Sequence, residues 1–139
     1  MKNAKSSMED NCSIKRDLSE RFLQFSVDGI KLFGQMKISY AEAHIAKQLT
    51  RSVTSCGANY EEACGAESRA DFVHKLQIVL KELKETQYWL KLLCKAELGE
   101  KIKIESFSCE CNELSKIIGK SIITAKRMQN AKCKIILSS

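Results

Sequence analysis

Not one proline occurs in the 139 residues of this chain. Proline ends helices, because it lacks an N–H and its ring collides with the preceding turn. A chain without it can run long helices joined by few sharp bends. Apolar residues recur at helical spacing in four stretches. The first helix is predicted over 17–36, with Phe22, Phe25, Val27, Ile30, Phe33 and Met36 on its apolar side. Gly29 and Gly34 weaken it by about 1 kcal/mol each relative to alanine. "KISY", residues 37–40, makes a short connection. The second helix, over 41–64, carries Ile45, Leu49, Val53, Cys56, Tyr60 and Ala63, a seam stepping by three and four.

Gly65 then suits a left-handed C-cap. Ser68 follows as an N-cap, with Asp71 three residues on. The third helix, over 69–98, is the longest regular segment and would span roughly 45 Å. Its main seam reads Phe72, Leu76, Val79, Leu83, Leu90 and Cys94, and Gly99 is its stop. The fourth helix, over 102–130, uses Phe107, Cys111, Leu114, Ile118, Ile122, Ala125 and Met128. Its start is obscured by "KIKIESF", which alternates like a strand. Short connections place successive helices antiparallel, which predicts an all-α, up-down-up-down four-helix bundle. The domain reading is a flexible basic segment over 1–16, the bundle over 17–130 and a basic tail over 131–139.

Net charge is +6, unevenly placed. Residues 17–113 sum to −2, whereas the chain after Glu113 holds Lys116, Lys120, Lys126, Arg127, Lys132 and Lys134 and no acid. Such a segment can hold phosphates. It can equally favour a helix dipole, whose negative end lies at the C-terminus. No run of 18 apolar residues exists to span a membrane, and "MKNAKSSMEDNCSIKRD" lacks the apolar centre of a signal peptide. The expected location is the cytoplasm. Seven scattered cysteines then read as small buried hydrophobes. Cys109 and Cys111 point about 200° apart on a helix, so one metal could not easily take both.

No catalytic motif is present: there is no P-loop, no H-E-x-x-H and no G-x-S-x-G. A Cys56–His74 dyad is conceivable, but no spacing selects it. Glu62 with Glu85 could pair as carboxylates, yet the Glu-x-x-His pairs of a di-metal bundle are missing. The expectation is a non-enzyme without cofactor or metal.

Two helices carry second faces. On the second helix, Arg51, Ser55, Asn59 and Glu62 form a polar stripe beside the seam. Arg51, Asn59 and Glu62, with Glu85 of the third helix, are expected to form a buried or half-buried charge network. Loss of Glu85 would then cost about 2–4 kcal/mol by stranding a charge. On the third helix, Ile78, Tyr88, Trp89 and Leu92 lie opposite the main seam. A second apolar stripe holding Trp89 suggests a partner, simplest as another copy of the chain. The alternative is that Tyr88 and Trp89 are lone exposed aromatics.

"QLTRSVTSCGANYEEACGAESRADFVHKLQIVLKELKETQYWLKLL", residues 48–93, resembles the four-helix-bundle family of 23S rRNA-intervening-sequence proteins. Gln48, Arg51, Ser52, Ser55, Asn59 and Glu62 fall in register with its pattern Q-x-x-R-[AS]-x-x-S-I-x-x-N-I-A-E. Ser68, Asp71, Phe72, Leu76, Glu85, Thr86, Trp89 and Leu90 match beyond the turn. Tyr60 and Glu61 depart from it where the family has Ile and Ala, as does Cys56 where it has Ile. The resemblance implies a ring-shaped homopentamer without known enzymatic activity. A related accessory protein of diversity-generating retroelements implies a basic bundle that meets nucleic acid and a reverse transcriptase. Two functions follow as expectations: a nucleic-acid-binding module using the basic C-terminal face without sequence preference, or a scaffold for a protein partner. The third, an enzyme using Cys56, Cys64 or His74, has least behind it.

Overall fold

In the computed structural model of the protein, backbone is described for residues 3–36 and 39–138, and side chains for 17–36 and 39–137. Lys37 and Ile38 of the expected connection lie outside the described residues, as does the side chain of Cys12. The described chain is helical throughout: α1 (Asn3–Phe33), α2 (Tyr40–Cys64), α3 (Arg69–Lys95) and α4 (Lys101–Ser138). Each helix packs on its sequence neighbours, and α1 meets α4 only sparingly. The connections are too short for anything but reversal, so neighbours run antiparallel.

The seam expected on α2 is buried in full, from Ile45 to Ala63. The seam on α3 differs at its ends. Val73, Leu76, Val79, Leu83, Thr86, Leu90 and Leu93 are buried, whereas Cys94 is exposed and Phe72 half-buried. Those buried positions step by 3, 3, 4, 3, 4 and 3. A period below 3.6 drifts around the helix, so a seam read in steps of four loses the core at both ends. On α1 the buried stripe is Leu18, Phe22, Phe25, Gly29 and Phe33, while Ile30 is half-exposed. On α4, which starts at Lys101, "KIKIESF" forms the first two turns of a helix and not a strand, and Ile104 within it is wholly buried. Met128, expected in the α4 seam, is exposed, because burial on this helix stops at Ala125.

Helix boundaries differ from expectation where the sequence offers no breaker. The first helix starts at Asn3 and not near 17, since "NAKSSMEDNCSIKRD" contains no glycine or proline. The fourth runs to Ser138, so residues 131–138 of the expected tail over 131–139 continue its helix. At 38 residues α4 outruns the 27 of α3, and its last turns pass beyond the start of α3.

The turns also redistribute the glycine roles. Ser68 Oγ accepts from Asp71 N at 3.1 Å, which is the expected N-cap. Gly65 caps α2 with φ of −93°, not left-handed, and Ala66 N–H closes the turn on Ala63 O at 3.1 Å. The left-handed residues lie after α3, at Glu97 (φ 55°) and Gly99 (φ 77°). Leu98 N bonds Leu93 O at 3.0 Å and Glu97 N bonds Cys94 O at 3.2 Å, a Schellman closure with glutamate in the usual glycine place. Gly99 must also lack a side chain: a Cβ there would lie 2.8 Å from Ile104 Cδ1 and 3.1 Å from Met36 Cε.

Gly29 brings α1 close to its neighbours for the same reason. A Cβ on it would sit 2.7 Å from Val53 Cγ1 and 3.4 Å from Phe107 Cζ. Around it, Phe25 stacks on Phe107 with centroids 4.5 Å apart, and Phe33 meets Phe107 edge-on at 5.1 Å. Gly29→Ala is therefore expected to destabilise the fold by about 1–3 kcal/mol through overpacking, although alanine is the better helix former. Urea denaturation followed by circular dichroism measures it. An unchanged or raised midpoint would mean that α1 does not depend on this approach.

Candidate functional site

Two surfaces collect the residues singled out by the sequence. The first lies across α2 and α3. Arg51 forms an ion pair with Glu85 and a second with Glu82 at 3.5 Å, while its Nε donates to Gln48 Oε1 at 3.4 Å. Trp89 Nε1 donates to the same Glu85 carboxylate at 3.3 Å. The Trp89 ring meets His44 edge-on at 6.2 Å and Tyr88 at 5.1 Å. The position of these groups follows from a bond beneath them. Thr86 Oγ1 donates to Ser52 Oγ at 2.8 Å, both residues being wholly buried, and this sets α2 against α3.

The expected network is thereby divided. Arg51, Glu85 and Trp89 meet, but Asn59 and Glu62 lie elsewhere. Asn59 Nδ2 donates to Ser55 O of its own helix at 2.8 Å. Glu62 takes a separate ion pair from Lys75 at 2.7 Å. The cluster is half-buried on the α3 side and open on the α2 side: the Glu85 side chain is 32% exposed and that of Arg51 47%. Trp89 is not a free second stripe, since it is half-buried and packs against the core. Glu82 could have been found in the sequence, because it precedes Glu85 by one turn. Lys75 gives no such signal, since its partner lies across a turn.

The second surface is the outer side of α4. Lys116, Lys120, Lys126, Arg127, Lys132 and Lys134 are all exposed. At 100° per residue, Lys116, Lys120, Arg127 and Lys134 fall within an arc of about 40°. The buried Cys111, Leu114, Ile118 and Ala125 point roughly the opposite way. Lys116 pairs with Glu113 at 3.6 Å, and among the described residues no acid pairs with the other five.

The remaining candidates separate. Cys56 is wholly buried, and burial pushes its thiol far above the ordinary range, whereas His74 is exposed. They do not form a nucleophile and base. Cys111 is likewise buried, its thiol pushed up to about 12 by desolvation. Cys64, Cys94, Cys109 and Cys133 are exposed, so most of the described cysteines are not the core hydrophobes expected. Among the described residues no three His, Cys, Asp or Glu side chains gather as a metal site, and no helix is long and apolar enough to cross a membrane.

The architecture defines an all-α protein of four helices, with one continuous apolar core and a basic outer face on the fourth. The chain belongs to the 23S rRNA-intervening sequence protein family, whose profile matches residues 17–120. Its fold is similar to that of a protein of unknown function from the S23 ribosomal protein family of Bacteroides thetaiotaomicron VPI-5482. The two are 38% identical with a TM-score of 0.72, over 78% of this chain and 96% of the other. No curated protein matches the chain.

Exposure lowers the stake in the Arg51–Glu85 pair. The hydrogen bond from Arg51, more than the one from Trp89, holds the Glu85 carboxyl below its ordinary range. A depressed carboxylate stabilises the fold above its unfolded value, near 4.3, and that contribution is lost as pH falls through the folded value. Glu85→Ala is expected to cost about 0.5–1 kcal/mol at pH 7, not the 2–4 of a buried pair. By pH 3 the cost should shrink towards zero. Urea melts of both proteins at the two pH values measure it, and an undiminished difference at pH 3 would assign Glu85 a packing role instead.

Proposed function

We propose that this chain is a non-enzymatic, self-associating bundle that binds nucleic acid without sequence preference through the outer face of α4. The observation that carries the reading is the line of Lys116, Lys120, Arg127 and Lys134, exposed opposite the α4 core seam, with Lys126 about 80° to one side and Lys132 on the seam side past Ala125, where burial has ended. Helix-dipole compensation needs cations only in the last turn, whereas this line begins more than four turns earlier. No aromatic residue is interleaved with these lysines in the sequence, so phosphate contact without base readout is expected.

Self-association supports the binding. One copy offers few charges, while a ring of five copies would present the same line five times and gain avidity without new contacts. The surface proposed for assembly is the α2–α3 side, where Tyr88 is 60% exposed beside Trp89. Membership of the family is consistent with a homopentamer.

Fluorescence anisotropy with labelled RNA and DNA duplexes tests the binding. The logarithm of affinity should fall linearly with the logarithm of salt, with a slope of about −3 or steeper. Replacing Lys126, Arg127, Lys132 and Lys134 with glutamine should abolish binding and leave the oligomer intact. No binding at low salt, or binding indifferent to those changes, would favour the protein-scaffold reading.

Light scattering after size exclusion tests the assembly, with a mass near five chains expected. Tyr88→Glu should dissociate it while preserving helicity, because the side chain of Tyr88 faces solvent in the single chain. A monomer at micromolar concentration in the unmodified protein would remove the pentamer.

A further inference from the structure

The sparse meeting of α1 and α4 leaves a cleft of about 780 Å³ at the end of the bundle where α2 begins. That volume is in the range that holds a small organic molecule. Its wall is apolar where Phe25, Leu32, Met36 and Phe107 line it. Glu42 lines it too, and there the chemistry does not balance.

Glu42 is only 8% exposed, and its Oε2 accepts no hydrogen bond among the described residues. Its place in the chain explains how it comes to be there. Ser39 Oγ caps α2 by accepting from Glu42 N at 3.1 Å, which puts the Glu42 side chain in the first turn of that helix. A buried anion requires a cation or donor at each oxygen. The other charged groups of the cleft do not supply one. Lys103 is taken by Glu100 at 3.1 Å, and Glu110 by Arg21 at 3.0 Å. Lys31 lines the cleft but is exposed and makes no ion pair among the described residues. Among the described residues Asp28 accepts only from the neutral Gln24, at 2.8 Å. The lining therefore carries four carboxylates, Asp28, Glu42, Glu100 and Glu110, against the two ammonium groups of Lys31 and Lys103.

We infer that this cleft binds a small organic amine, with its ammonium against Glu42 and its apolar body along Phe25, Leu32, Met36 and Phe107. The carboxylate selects for positive charge and the apolar wall for a hydrocarbon body, while Asp28 and Glu42, left against Lys31 once Glu100 and Glu110 are paired, disfavour anions. This site lies between α1 and α4 with Glu42 at the start of α2, apart from the Arg51–Glu85 cluster, and uses none of the α4 lysines assigned to nucleic acid.

Isothermal titration and proton NMR with three probes of similar shape test it: hexylamine, hexanol and hexanoate. Hexylamine should bind, hexanol at least tenfold more weakly, and hexanoate not at all. Glu42→Gln keeps the shape and removes the charge, and should bring hexylamine to the level of hexanol. Leu32→Trp fills the apolar wall without touching the carboxylate, and should weaken hexylamine and hexanol together. The comparison of the three probes on the unmodified protein is decisive even if a variant fails to fold. Equal binding of hexylamine and hexanol, preference for hexanoate, no binding of any probe, or hexylamine binding unchanged in Glu42→Gln would each overturn the assignment.

Discussion

The hydrogen bond from Thr86 to Ser52 lies at the centre of the α2–α3 seam, and the surfaces of the molecule depend on the register it holds. Both residues are wholly buried between Leu49 and Val53 on one side and Leu83 and Leu90 on the other. Each hydroxyl also has a carbonyl of its own helix in reach, Leu49 O at 3.3 Å for Ser52 and Glu82 O at 2.9 Å for Thr86, so the bond between them adds its own modest term to packing in opposing a slide of α2 along α3. Leucines and valines tolerate alternative registers, whereas a single polar pair does not. With the register held, Arg51 comes opposite Glu82 and Glu85, and Glu62 opposite Lys75. The aromatic group of His44, Tyr88 and Trp89 is placed by the same alignment.

The two sides of the bundle differ in how they are closed. On the α2–α3 side, the buried leucines and valines of both helices surround Ser52 and Thr86. On the α1 side, closeness rests on Gly29 against Val53 and on aromatic contacts made by Phe107. Towards α4, α1 is held by those contacts of Phe25 and Phe33 with Phe107 and by the two-pronged bond of Arg21 to Glu110. The half-open side is where the Glu42 cleft lies, while the closed side carries the charged and aromatic cluster. The α4 lysines face away from both. One bundle thus separates three surfaces of different chemistry, because each helix buries a single seam and leaves the rest of its circumference to solvent.

The local signals in the sequence were sound where one helix alone decides the outcome. The α2 seam of Ile45, Leu49, Val53, Cys56, Tyr60 and Ala63 is buried as its spacing requires, and Ser68 caps α3 through Asp71. The same pattern stood in plain view at Ser39 and Glu42, where it marks both the start of α2 and the buried carboxylate. Failures came where a neighbouring helix decides. Phe72 and Cys94 seemed as apolar as Val73 and Leu93, but the drift of the α3 seam around α2 and α4 admits the latter pair. Gly65 looked like the left-handed residue, yet the chain turns left-handed at Glu97 and Gly99, where Met36 and Ile104 crowd the backbone.

The sequence by itself determined the number of helices, their order and the basic character of the fourth, since these follow from periodicity, the lack of proline and the count of charges. It could not decide which charges meet. Arg21 and Glu110 stand 89 residues apart, and Arg51 and Glu85 stand 34 apart. Asn59 and Glu62 share a stripe with Arg51, but only the crossing of α2 and α3 determines that Arg51 reaches Glu85 while Glu62 reaches Lys75. Burial is decided in the same way: the spacing of residues on one helix fixes the direction of each side chain, and the distance to the next helix fixes whether water remains there.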